Sequence, residues 1–193
     1  MTYERLNRRL AIVAAICALL GVALGVIALA TNYWTVVSIS EPTYNGTIRV
    51  SERYGTMWNG LFKGCRTTTG TCEAYFWAAT FILCVLGLVF LLIGCILSAL
   101  DVPKVTDRRF VTPLFMYVAC VLMIAGLFDY ASRQLLNSHS SRSMIAGIVF
   151  AYAALALSAF VAGRYSTYER TALVNNGVHL TTQKYSATNG NGH

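Results

Sequence analysis

A pair of cysteines between the first two apolar runs is the strongest chemical signal in the chain. Cys65 and Cys72 lie seven residues apart in a polar, Thr-rich segment. This pattern favours a disulfide formed in an oxidising compartment, where closing so small a loop stabilises the fold by about 2–3 kcal/mol. A metal site is the alternative, but it would have only two thiolates and no histidine nearby.

The other reactive side chains predict no enzyme. Histidines occur at His139, His179 and His193, and none stands at ligand spacing from a cysteine or carboxylate. No carboxylate lies in the middle of an apolar run, since Asp129 stands at the outer end of the third. A proton-coupled transporter usually needs ionisable groups inside the membrane. We therefore predict a structural or binding protein without a cofactor.

Composition indicates an integral membrane protein. Of 193 residues, 56% are hydrophobic and 12% are charged, whereas soluble domains carry about 25% charged residues. The mean hydropathy is +0.56. The net charge of +7 would fit nucleic acid in a soluble protein, but here the basic residues flank the apolar runs and do not share one face with aromatics. The expected partner is membrane lipid and not nucleic acid.

Four apolar runs are predicted to be membrane-spanning helices, because each has about the length that crosses a hydrocarbon core. They cover residues 10–30, 75–100, 110–128 and 144–163. Residues 31–74 and 129–143 would then be loops on one side of the membrane, and 164–193 a polar, disordered tail. The predicted architecture is an integral membrane α-helical four-helix bundle.

The first run has a second interpretation, a cleaved signal peptide. Basic residues precede it, and Ala28-Leu29-Ala30 resembles a cleavage site. However, the run is longer than the roughly 7–15 apolar residues of a signal peptide. Its Gly21 and Gly25 form a G-x-x-x-G pair that suits a helix packed against its neighbours. We therefore predict that it is retained as a spanning helix.

Charge and a modification motif predict the orientation. Arg5, Arg8 and Arg9 precede the first run, and basic residues also exceed acidic ones after the second and fourth runs. The positive-inside rule then places both termini in the cytoplasm. Asn45 begins an Asn-Gly-Thr glycosylation acceptor in the long loop, as an extracellular loop would allow. Cys95, towards the cytoplasmic end of the second run, is a candidate for palmitoylation.

The long first loop has the alternating pattern of short strands. A small antiparallel sheet lying on the bundle is predicted, with Trp34, Leu61 and Phe62 anchoring it at the membrane interface. The cysteine pair would join its last two strands. The candidate strands are 33–39, 47–51 and 56–63. The turn-prone pairs between them are Glu41-Pro42, Asn45-Gly46 and Tyr54-Gly55.

Together these residues resemble the motif of the claudin superfamily, which comprises claudins, the peripheral and epithelial membrane proteins, and gamma-type auxiliary subunits of calcium channels and AMPA receptors. The motif is Trp, then Gly-Leu-Trp, two residues, Cys, a short gap and Cys. In this chain it is formed by Trp34, Gly60-Leu61-Phe62, Cys65 and Cys72. The resemblance covers nearly the whole chain and implies a claudin-like tetraspan domain over residues 1–163 with a small extracellular antiparallel sheet.

The sequence departs from the superfamily pattern in several places. Phe62 stands where Trp is usual, and the gap between the cysteines is short. The chain ends in Asn191-Gly192-His193, without the hydrophobic last residue by which many claudins bind PDZ scaffolds. No cytosolic cysteine pair follows the second or fourth run. These departures concern scaffold attachment and palmitoylation more than the fold.

The resemblance implies two possible functions. One is a structural protein of cell–cell junctions in the plasma membrane, which forms or regulates a paracellular barrier through cis and trans association with its own copies or related proteins. The other is an auxiliary, gamma-like subunit of an ion channel or receptor. Exposed loop charges would contact partners or set ion preference, and the candidates are Arg49, Glu52, Arg53, Lys63 and Arg66. Because their signs are mixed, we expect a barrier and not a strongly selective pore.

Overall fold

A computed structural model describes residues 2–45, 48–100 and 110–188 of the chain, and the side chains in these ranges apart from 2–4, 41–53 and 165–188. The described residues form four helices and one four-stranded sheet. The helices are α1 Thr2–Ala30, α2 Ala78–Leu100, α3 Val111–Ala131 and α4 His139–Thr188. The strands are β1 Thr35–Asn45, β2 Ile48–Asn59, β3 Lys63–Arg66 and β4 Cys72–Ala74.

The fold confirms the predicted four-helix membrane bundle with a small antiparallel sheet. All four helices contain a segment long and apolar enough to cross a membrane. These segments are Arg5–Ala30, Ala78–Leu100, Val111–Ala131 and His139–Arg164. The molecule is therefore a multi-pass membrane protein, and its sheet lies at the end of the bundle where α1 ends and α2 begins.

Small residues bring the helices of the bundle close together. α1 packs chiefly on α4, and α2 chiefly on α3. A Cβ added at Gly21 would lie 3.0 Å from the carbonyl oxygen of Gly147, and the Leu88 side chain fills the space beside Gly25. Both glycines of the G-x-x-x-G pair therefore face neighbouring helices inside the bundle, where the missing side chains allow the backbones to approach.

Between α2 and α3, methionines occupy the space that glycines leave. A Cβ at Gly94 would lie 2.9 Å from Cγ of Met116, and one at Gly87 would lie 2.5 Å from Cγ of Met123. Both methionines are fully buried. Since methionine is unbranched and flexible, it fills such irregular gaps well.

The sheet is an antiparallel meander in the order β1-β2-β3-β4. Two predicted turns are wrong, because Glu41-Pro42 lies within β1 and Tyr54-Gly55 lies within β2. Pro42 is tolerated there because β1 is an edge strand with one side free of ladder hydrogen bonds. The predicted strand 56–63 is interrupted at residues 60–62, where the Gly60 amide donates to the Lys63 carbonyl at 3.0 Å and closes a turn.

The helix boundaries differ from the apolar runs because helical hydrogen bonds do not require apolar side chains. Helix α3 continues past Asp129 to Ala131, and α4 begins at His139, so the second loop is shorter than predicted. Helix α2 begins only at Ala78. Before it, the amide of Trp77 donates to the carbonyl of Leu61 at 3.1 Å, which holds this stretch against the sheet.

Beyond the membrane segment, the described backbone of the tail extends α4. The backbone of α4 continues as a helix from the membrane segment through Thr188. Extending an existing helix adds one hydrogen bond per residue without a new nucleation step. The segment 164–188 contains a single glycine and no proline, so its sequence does not interrupt that extension.

Candidate functional site

The motif residues lie where the sheet meets the bundle. Trp34 and Leu61 are both fully buried. The Trp34 indole nitrogen donates to the Ala28 carbonyl at 3.0 Å, and its ring centroid lies 5.0 Å from that of Tyr130 on α3. Trp34 therefore fixes the start of β1 to two helices at once, inside the protein core and not on its lipid-facing surface.

Gly60 is required by a close approach between two segments. A Cβ at this position would lie 2.5 Å from the Asn32 carbonyl oxygen and would also collide with the Asn32 side chain. The Asn32 amide oxygen accepts a hydrogen bond from the Phe62 amide at 3.4 Å. Only glycine can therefore bring the 60–62 turn this close to the connection between α1 and β1.

Phe62 differs from its two motif neighbours because it is 40% exposed. Its ring stacks on Phe76 with centroids 5.6 Å apart and meets Phe81 edge-on at 5.3 Å. Phe62 in the 60–62 turn thus joins Phe76, just before α2, and Phe81, in its first turn, in what we call the phenyl cluster. Of the three predicted anchors, Phe62 is the one that presents its ring at the surface.

Two further aromatic rings extend the buried core beneath the sheet. Trp77 packs against Tyr130 at 5.5 Å and edge-on against Tyr75 at 6.1 Å. Burial raises the pKa of the Tyr75 phenol above its ordinary value.

The predicted disulfide between Cys65 and Cys72 is confirmed. The two cysteines are directly opposite each other in the β3–β4 ladder. The turn between them contains Gly70 at a φ of 67°, which favours glycine. Among the described residues, no group of three or more His, Cys, Asp or Glu could hold a metal ion.

Polar side chains before and at the start of α4 also hold β1 in place, and the sequence analysis did not predict these contacts. Both backbone groups of Val36 bond the Asn137 side chain, with the Val36 amide donating at 2.9 Å and its carbonyl accepting at 2.6 Å. The Tyr33 amide donates to the Ser140 hydroxyl at 3.1 Å. These partners lie over 100 residues apart in sequence, and no local pattern marks such contacts.

Sequence reasoning also missed the role of the carboxylate near the end of α3. The Thr80 hydroxyl donates to Asp129 at 2.7 Å, and Thr80 is fully buried. Arg133 lies 3.9 Å from the same carboxylate and 5.5 Å from the Trp77 ring. The position of Asp129 at the end of an apolar run was the available signal, and the contact ties α2 to α3 beside the sheet.

Beyond these contacts, β1 and β2 continue as a two-stranded segment that we call the distal hairpin, residues 39–45 and 48–55. Its ladder runs from Ile39 opposite Gly55 to Asn45 opposite Ile48. Strand β3 pairs with β2 only at residues 57–59. Within the described strands, the distal hairpin therefore pairs only with itself, over about 23 Å at roughly 3.3 Å per residue.

The predicted charged residues fall into two groups. Arg49, Glu52 and Arg53 occupy ladder positions of the distal hairpin, with Arg53 opposite Glu41 and Glu52 opposite Pro42. Their side chains, and that of Asn45 at the end of β1, lie outside the described side chains.

The other two candidate charges, Lys63 and Arg66, are exposed at the two ends of β3. The Lys63 ammonium lies 5.7 Å from the Trp58 ring centroid, a distance at which a cation and an aromatic face attract. Cys95, the palmitoylation candidate, points its thiol towards α1, 3.5 Å from the Ala15 carbonyl oxygen.

The described part of the site combines exposed residues of β3 and β4 with the partly exposed Phe62 above a buried aromatic core. No protein-family model and no curated protein matches the chain.

Proposed function

We propose that this chain is a claudin-like structural protein of cell–cell junctions, which forms or regulates a paracellular barrier through cis and trans self-association. The distal hairpin is the observation that carries the proposal. A two-stranded hairpin is only marginally stable in water unless something packs against it. Its strands carry charged positions of both signs together with hydrophobic ones such as Ile39, Ile48 and Val50. An arm built in this way gains stability when it contacts a partner surface.

The support beneath the hairpin favours a mechanical role. Trp34, the disulfide and the Asn137 contacts with β1 hold the base of the sheet to the helices. The base of the sheet, from which the hairpin extends, is therefore attached to the helices. An attached base of this kind supports a role in which the hairpin contacts a partner surface.

The proposal places the sheet outside the cell and both termini in the cytoplasm. A disulfide persists in an oxidising compartment, and Cys65–Cys72 lies in the sheet. Exposed Arg5, Arg8 and Arg9 precede the first apolar run at the other end of α1. Asn45, at the hairpin end of β1, would then be accessible for glycosylation.

The test is to express the tagged full chain in sparse cells that lack junction strands and to examine cell contacts by freeze-fracture. We expect enrichment and intramembrane strands at contacts where both cells express the protein. Contacts between an expressing and a non-expressing cell serve as the internal control and should show neither. Uniform surface staining without strands would contradict the junctional role and favour the auxiliary-subunit function, to be tested by co-purification of a channel.

A further inference from the structure

Three arginines near the N-terminal end of α1 lie on one face of the helix. Arg8 and Arg9 follow Arg5 by three and four residues, so the three side chains are neighbours on the helix surface. All three are exposed. Within the described side chains, none of them has an ion-pair partner. Three positive charges therefore share about 6 Å of helix length.

The same face of α1 continues into the membrane as an apolar stripe. Ile12, Ile16 and Leu19 follow the arginines at intervals of three or four residues, and each is exposed. Because α1 spans the membrane, this stripe faces lipid acyl chains. Gly21, on the other side of the helix, faces α4. The arginines are thus aligned with the lipid-facing positions and not with the contact between helices.

The length of α1 places the arginines at the level of lipid headgroups. The membrane segment Arg5–Ala30 has 26 residues, which makes it about 39 Å long at 1.5 Å per residue. A hydrocarbon core about 30 Å thick takes roughly 20 residues, and the uncharged run 10–30 supplies them. The arginines lie within about 8 Å beyond Leu10, and the headgroup layer on each side of the core is roughly 5–8 Å thick.

Two arginines at other membrane boundaries already contact the protein. The Arg133 guanidinium lies 3.9 Å from the Asp129 carboxylate and 5.5 Å from the Trp77 ring centroid. The Arg164 guanidinium lies 5.5 Å from the Phe160 ring centroid. The α1 arginines differ because they form a group whose donors face the lipid side of the helix.

We propose that Arg5, Arg8 and Arg9 bind the phosphates of an anionic lipid headgroup, with a preference for a headgroup that carries several phosphates. A guanidinium donates two parallel hydrogen bonds to a phosphate, and three guanidiniums balance the charge of a polyphosphorylated headgroup. The acyl chains of the same lipid lie along Ile12 and Ile16. This site is independent of the junctional role, because it lies at the opposite end of the bundle from the sheet.

The first test places a dye on an N-terminal tag of the full chain in phosphatidylcholine vesicles and measures energy transfer from acyl-labelled lipids. At equal mole fraction, we expect phosphatidylinositol bisphosphate to be enriched near the dye by about fivefold or more over phosphatidylcholine, since one arginine at an anionic surface contributes about that factor. The triple change Arg5→Gln, Arg8→Gln and Arg9→Gln should abolish the enrichment.

A charge-matched control removes three exposed basic side chains from the other end of the molecule. The residues changed to Gln in this control are Lys63, Arg66 and Arg142. The control should retain the enrichment, because its α1 arginines are intact. Equal loss in both triple variants, or full enrichment in the α1 variant, would overturn the proposal.

A third variant keeps the charge that orients α1 in the membrane. It changes Arg5, Arg8 and Arg9 to Lys, which offers a point charge in place of the paired donors of a guanidinium. We expect this variant to still enrich phosphatidylserine over phosphatidylcholine but to lose most of the preference for phosphatidylinositol bisphosphate over phosphatidylserine. The same preference in the Arg and Lys forms would contradict recognition of phosphates by the guanidiniums.

Competition distinguishes a lipid from other anions. Unlabelled phosphatidylinositol bisphosphate should reduce the energy transfer to the phosphatidylcholine level. Soluble inositol trisphosphate at the same concentration should not, because it lacks the acyl chains that lie along Ile12 and Ile16. Complete displacement by the soluble headgroup would identify a free-phosphate site, and displacement by polyglutamate would indicate an acidic protein partner. Either result would overturn the assignment to a lipid.

Discussion

Leu61 and Phe62 are neighbours in one motif, yet they have opposite environments. Leu61 is fully buried beneath the sheet, while Phe62 is 40% exposed within the phenyl cluster. The turn at residues 60–62 causes the difference, because it points consecutive side chains in different directions and holds Leu61 against the core. Membership of a motif therefore does not establish that its residues contribute equally to stability.

We predict that Leu61→Ala destabilises the protein far more than Phe62→Ala. The first change leaves a cavity in the core and should lower the free energy of unfolding by about 2–5 kcal/mol. The second removes a partly exposed ring and should cost about 1 kcal/mol. Unfolding of the purified protein in detergent micelles measures both. Equal losses for the two variants would show that Phe62 is as buried in the membrane protein as Leu61.

At the scale of elements, the contact of α1 with α4 depends on backbone proximity. Gly21 and Gly147 face each other. A Cβ added to either glycine would lie 3.0 Å from the carbonyl oxygen of the other. In the same helix, Ala23 faces outward. Two positions separated by a single residue thus have different tolerance for a larger side chain.

We predict that Gly21→Leu destabilises the bundle by about 1–3 kcal/mol or more, since overpacking forces the two backbones apart. Ala23→Leu adds a bulky side chain to the same helix on the exposed face, and it should leave stability nearly unchanged. Thermal unfolding of both variants in micelles gives the comparison. A stable Gly21→Leu protein would mean that α1 can move away from α4 without loss.

The disulfide is expected to stabilise β4, the shortest strand of the sheet. Strand β4 has three residues, all exposed, and β3 has four. So few ladder hydrogen bonds give little cooperativity, whereas closing a loop between positions 65 and 72 removes conformational entropy from the unfolded chain. The bridge should therefore determine whether β4 remains paired.

We predict that the double change Cys65→Ser and Cys72→Ser lowers stability by about 2–3 kcal/mol and increases hydrogen exchange at Cys72–Ala74 and not in the helices. Mild reduction of the unmodified protein should reproduce this effect. The same reductant should have no further effect on the double variant, which serves as the control. Unchanged exchange in β4 after reduction would show that strand pairing alone holds it.

At the scale of the whole molecule, the candidate charges lie on the sheet and not on the membrane-spanning helices. Lys63 and Arg66 are exposed on β3, and Arg49 and Arg53 occupy positions in the distal hairpin. If the protein seals a space between cells with its sheet, an ion crossing that space passes these charges. Their sign should then influence which ions pass.

We predict that changing Arg49, Arg53 and Arg66 to Glu shifts paracellular preference towards cations in an epithelial layer, because like charges repel anions over about 8–10 Å at physiological salt. The triple change of the same residues to Lys conserves charge and is the control. Dilution potentials across the layer measure the preference. No shift on charge reversal would exclude these arginines from the ion path.

The sequence by itself determined the four spans, the small antiparallel sheet and the disulfide. Each depends on a local property: an apolar run long enough for a bilayer, alternating residues in the loop, and two cysteines in one polar segment. The errors also have a local origin, since turn propensity at Tyr54-Gly55 was outweighed by strand pairing. Apolar composition likewise could not locate helix ends such as Ala131 and His139.

Tertiary structure alone decided which side chains meet. The contacts of Thr80 with Asp129 and of Val36 with Asn137 join segments 49 and 101 residues apart. It also decided that Gly21 faces α4 while Tyr152 is exposed on the outside of the bundle. The physical reason is that side-chain direction follows helix rotation and strand register, and these are fixed by packing between distant segments, which no short window of sequence contains.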